Sequence, residues 1–179
     1  MHRIRTMALQ TYIRRLERFA ESCGVPVVRN SLVAGVLGQI EERRIVLRAG
    51  LTLEQQLLTL VHELTHLIIH CNANPRVDRT VCEYEAEAVE RWVGAVLSAG
   101  PSAADGLDAT TMTEDLLACS VLRVRWASEV ILKAARDGAF RLASECLQSQ
   151  PAVQIDATAC EEIVFDDELH GLRNLVRLA

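Results

Sequence analysis

The chain has 179 residues, of which 50% are apolar and 24% charged. That is enough apolar material for the core of one domain and too much for disorder throughout. No apolar run approaches the roughly 18 residues a membrane-spanning helix needs, and residues 1–10 lack the apolar stretch of a secretory signal, so the expected compartment is the cytoplasm. The net charge of −5 is uneven: residues 1–50 carry nine Arg against four Glu, and the remainder ten basic against twenty acidic side chains. A basic first segment can meet nucleic acid or an acidic partner, but a solvated helix face is the simpler account and direct nucleic-acid binding is not expected.

In chain order, residues 6–22 place Leu9, Ile13, Leu16 and Ala20 at helical spacing with Arg14, Arg15 and Arg18 between them, and Gly24 follows as a stop. Residues 25–28, 36–40 and 44–47 read as short strands of a small mixed or antiparallel sheet, punctuated by Gly35, Gly38 and a turn at residues 41–43. Thr52 and Gln55 form a capping box ahead of a Leu-rich helix predicted over 53–70, free of Gly and Pro. After a loop over 71–80 a second helix is expected at about 81–97. A small-residue linker spans 99–111; Thr111 with Glu114 caps a helix to about 136, and Thr158 with Glu161 another carrying Phe165, Leu169, Leu172 and Val176. The fold class is therefore α+β and mostly helical: a domain over 1–98, a linker, and a helical extension over 112–179. Six cysteines without a Cys-x-x-Cys pair read as reduced thiols.

The chemistry lies in His62-Glu63-Leu64-Thr65-His66. Two His four residues apart on a helix project from one face, so their imidazoles can converge on one metal ion while Glu63 stands beside them as general base. A zinc hydrolase needs a third protein ligand, and the second helix offers Glu83, Glu85, Glu87 and Glu90. Helical spacing from Glu85 reaches the apolar stripe of Ala88, Val89, Trp92, Val93 and Val96, whereas Glu83, Glu87 and Glu90 share the polar side with Arg91. A carboxylate on a core-facing stripe needs a partner, and a cation between the helices would serve. Glu85 is thus the expected ligand, with Glu83 and Glu87 as fallbacks; the plainer alternative is that Glu85 is solvated or pairs with an Arg. His70 continues the His series, but eight residues of straight helix span about 12 Å, too far for three His to share one ion. Cys71 and Cys82 are more simply buried thiols than soft zinc ligands.

The strings GVPVV, RRIVLRAGL, EQQLLTLVHELTHLIIH and EYEAEAVERWV, over about residues 24–97, resemble the small zinc metallopeptidases of the ImmA/IrrE type, kin to the zincin-like domain of plasmid antirestriction proteins. The resemblance implies a minimal zincin-like domain of gluzincin type, with zinc on His62, His66 and Glu85 and Glu63 as the catalytic base. It implies a protein substrate, such as a helix-turn-helix repressor of a mobile element or stress regulon. It further suggests that the strand around residues 45–47 aligns a peptide by strand addition. Tyr84, His70, Arg76 and Arg79 are near enough in sequence to supply an oxyanion donor. The chain departs from the family in having Val89-Glu90 where an aromatic-Ala pair is common, a change expected on the outer face. The competing function is a zinc-stabilised binding or regulatory module without peptidase activity, for which Glu63 would have no use.

Overall fold

A computed structural model describes residues 2–70, 78–97 and 114–138. Helix α1 (His2–Ser22) buries Leu9, Ile13, Leu16, Phe19 and Ala20 on one stripe and leaves Arg14 and Arg18 in solvent. Its end is a Schellman closure: the Gly24 amide donates to Glu21 at 2.9 Å and the Val25 amide to Ala20 at 3.0 Å. The closure requires a left-handed residue, and Gly24 supplies it at φ +76°.

Three strands follow: β1 (Val27–Asn30), β2 (Gly38–Glu41) and β3 (Arg44–Arg48), in the spatial order β1-β3-β2. β3 runs parallel to β1, with Val27 opposite Ile45, and antiparallel to β2, with Gly38 opposite Leu47. The sheet is therefore mixed, and Ile45, Val46 and Leu47 are all buried because β3 is central. This corrects the expectation that a peptide adds beside residues 45–47: both edges of β3 are already paired. β2 and β3 are joined by a two-residue turn whose central residues, Glu42 and Arg43, both have positive φ, as a tight hairpin matched to strand twist demands.

Helix α2 (Leu53–Thr65) begins at the expected capping box, in which Gln55 N–H donates to Thr52 Oγ1 at 3.2 Å and Thr52 N–H donates to Gln55 Oε1 at 3.0 Å. The predicted single helix to residue 70 differs from the observed one in its last turn, which is a π-helical turn (His66–His70). Three consecutive residues there, Leu67, Ile68 and Ile69, are buried. A wider turn gathers neighbouring side chains into a narrower arc, and such turns recur at functional sites. Helix α3 (Arg79–Val96) starts on Asp78, whose carboxylate accepts from the Thr80 amide at 2.9 Å. Helix α4 (Glu114–Asp137) lies against α1, α3 and the end of α2. Its Val124, Ala127, Val130, Ile131, Ala134 and Ala135 join the same core as Leu9, Leu16, Leu60 and Val93. Arg15 of α1 donates to the carbonyls of Ala135, at 3.1 Å, and Arg136. The expected linker, Thr111, Arg76, Cys71 and the helix after Thr158 lie outside the described residues. Among the described residues no helix is long and apolar enough to cross a membrane.

Candidate active site

α2 and α3 pack side by side, and the His-x-x-x-His face of α2 looks across at α3. Nε2 of His62 and Nε2 of His66 are 3.1 Å apart, and Oε2 of Glu83 lies 3.5 Å from each. Among the described residues this is the one group of three side chains able to hold a metal ion. Three ligands at tetrahedral zinc distances of about 2.0–2.1 Å stand roughly 3.3 Å from one another, so the observed triangle has the right size. Nδ1 of His62 is 3.1 Å from Glu90 Oε2. A carboxylate on the outer nitrogen is the usual device for fixing a ligating imidazole and presenting Nε2 to the ion.

Glu63 is buried at 7% exposure, on the side of α2 that meets β2. A Cβ at Gly38 would stand 2.4 Å from Thr59 Cγ2 and 2.9 Å from Glu63 Oε1, so only glycine lets β2 approach this closely. Burial, with the negative charges of Glu83 and Glu90, pushes the Glu63 carboxyl up to about 7, and His62 opposes them in part. Burial works against the charged form of His62 too. The hydrogen bond and charge of Glu90, with Glu63 and Glu83, outweigh it and hold His62 above the ordinary imidazole value. His66 is pushed down to about 4, first by burial and then by the charge of His62. A neutral imidazole is the form that binds a metal.

A model of the peptidase M78 family, described as the IrrE N-terminal-like domain, matches residues 8–97. The chain belongs to this family. Nothing among curated proteins or solved structures matches it. The M78 assignment makes a peptidase-type function the general reading, and the His62, His66 and Glu83 group is compatible with the metal such a function uses.

Within this M78 domain the expected site residues are sorted by α3. The carboxylate that meets the two imidazoles is Glu83, not Glu85. Glu85 is on the core-facing stripe, as its spacing predicts, with 0% exposure. What compensates it there is an arginine: Oε1 accepts from Ser120 Oγ at 2.6 Å, from Arg123 Nε at 2.9 Å and from Arg123 Nη2. Its other oxygen lies 3.5 Å from Nε2 of His70, too long for a hydrogen bond, and among the described residues neither atom has a hydrogen-bond partner. Sequence alone could not supply Arg123, which lies far along the chain from Glu85.

His70 stacks obliquely on His66, ring centroids 5.5 Å apart, and is pushed down to about 4 by burial and by the charge of Arg123. Among the described residues the buried Tyr84 hydroxyl has no hydrogen-bond partner. Arg79 is exposed and reaches Glu83 Oε1 at 3.7 Å. Glu87 pairs with Arg91 at 3.6 Å. Cys82 is a thiol outside the metal-capable group, its pKa raised by burial and by Glu85. The Val89-Glu90 departure is not on an outer face: Val89 is fully buried and Glu90 is the carboxylate on His62. Glu90 is the neighbour of the His62, His66 and Glu83 group that spacing alone did not pick out. The available signal was its position seven residues after Glu83, two turns further along the same face.

Proposed function

We propose that this M78 domain is a zinc-dependent endopeptidase, with His62, His66 and Glu83 as zinc ligands and Glu63 as general base. The observation that carries the reading is the triangle of ligand atoms, at 3.1, 3.5 and 3.5 Å, beside a buried carboxyl held near neutrality. Three protein ligands leave a fourth position open, as catalytic sites do and structural sites do not. Bound zinc supplies Lewis acidity toward the scissile carbonyl and acidifies the attacking water. Glu63, buried beside the ligand triangle, would accept the proton of that water and deliver it to the leaving amine. Glu90 holds the His62 ring so that Nε2 faces Glu83 and His66.

The peptide is read as lying along β2. Among the described residues β2 pairs only with β3, so its outer edge offers backbone donors and acceptors to an extended chain, and Gly38 of that strand sits directly over Glu63. A protein substrate, of which a DNA-binding repressor is the class the family resemblance suggests, and a cytoplasmic setting complete the reading. A binding module that merely retains zinc would have no use for a buried, near-neutral Glu63 beside an open position.

The test is metal content by elemental analysis of untagged protein, together with cleavage of a quenched peptide library. Wild type and Glu63→Gln each hold about one zinc, but Glu63→Gln loses cleavage by about 10²-fold or more. Glu83→Ala falls well below one zinc, while Glu85→Gln keeps it, because an amide oxygen still accepts from Arg123. Metal-free wild type in excess zinc would overturn the reading, and zinc lost from Glu85→Gln but kept by Glu83→Ala would return the third ligand to Glu85.

A further inference from the structure

Glu85 is a buried carboxylate two residues from Glu83 on one helix, and residues so spaced point about 200° apart around the axis. Glu83 reaches the imidazoles of α2, whereas Glu85 is met by Ser120 and Arg123 of α4. All three donated bonds converge on Oε1 of Glu85, and Arg123 is the counter-charge of that buried carboxylate. A buried carboxylate without its partner is strongly disfavoured. In the rotation of α3 that places Glu85 on Arg123, beside the buried stripe of Ala86, Val89 and Val93, Glu83 lies against His62 and His66. The tolerance is small. Turning a helix by about 20° moves a carboxylate carried roughly 5 Å from the axis by nearly 2 Å, whereas metal–ligand distances hold to about 0.2 Å.

We propose that Arg123 and Ser120 are positioning residues for the metal centre. They act through Glu85 to fix the rotation of α3 and so deliver Glu83 to the two imidazoles. Both stand on α4, beyond the residues 8–97 that the family model matches. The centre is thus completed by a helix outside the matched segment. The inference rests on the reading of Glu83 as a ligand, and its test separates the two.

Zinc affinity is measured by chelator competition on full-length wild type, Arg123→Met, Arg123→Lys and Ser120→Ala, with circular dichroism to verify folding and visible absorption of the cobalt-loaded proteins to report the ligand set. Folded Arg123→Met binds zinc at least about tenfold more weakly, with an altered cobalt spectrum. Arg123→Lys restores the spectrum and most of the affinity, and Ser120→Ala weakens binding a few-fold. If folded Arg123→Met keeps wild-type affinity and spectrum, the pair merely stabilises the fold and the inference is overturned. If Arg123→Met does not fold, Ser120→Ala decides: a few-fold loss supports the inference and an unchanged affinity overturns it. Wild type that binds no zinc would overturn the zinc reading, and this inference with it.

Discussion

Gly38 shows how closely the site is built. Because a Cβ there would collide with Thr59 and Glu63, Gly38→Ala must displace the Glu63 carboxyl, the proposed general base, or push β2 away. The expected result is a stability loss of about 1–3 kcal/mol, the usual range for overpacking, and a fall in cleavage with zinc still bound. Thr59→Ser in the same chain removes the nearest clashing methyl and should recover part of both, read by urea denaturation and peptide turnover. Glu90→Ala is expected to weaken zinc binding about 10–100-fold without removing a ligand, since the His62 ring loses the carboxylate that orients it. That the two imidazoles share one face was legible in the sequence because helix geometry dictates their spacing. That Glu83 is the carboxylate meeting them was not: the core-facing stripe and the family resemblance both pointed to Glu85, and the arginine that compensates it, the alternative the spacing left open, comes from a helix whose docking no local pattern records. Glu83 and Glu90 were placed on a polar side, which is correct, but that side faces the polar wall of α2 and not the solvent alone.

At the scale of elements, the helices announced themselves through caps and apolar periodicity: the Thr52 box, the Gly24 closure and the start of α4 lie within a few residues of where the pattern puts them. Strand extents were close as well, but strand order was not, since alternation says which face is buried and nothing about neighbours. It took the full burial of Ile45, Val46 and Leu47 to mark β3 as central. The turn between β2 and β3 carries an avoidable cost, because Glu42 and Arg43 occupy positive φ, where Asn and Gly are at ease. Glu42→Asn with Arg43→Gly should therefore raise stability by about 1 kcal/mol, measured as a higher urea midpoint with an unchanged slope.

For the whole molecule, α4 belongs to the core and not to an appendage. Ile131→Ala should cost about 2–5 kcal/mol, as for other fully buried aliphatic side chains, and unfolding followed by Trp fluorescence and by circular dichroism should remain one coincident transition. Separate transitions would show that α4 folds apart from the rest. The hydrogen bonds from Arg15 to the end of α4 tie positions about 120 residues apart. On the ribosome this sets a schedule. At about 5–20 residues per second, α1 emerges roughly 6–24 s before the residues that cover its second side, and until then it must wait with part of its apolar stripe in water. The opening helix of the chain is thus among the last to be sealed, and until α4 is made its leucines have chiefly α2 and β1 to pack against.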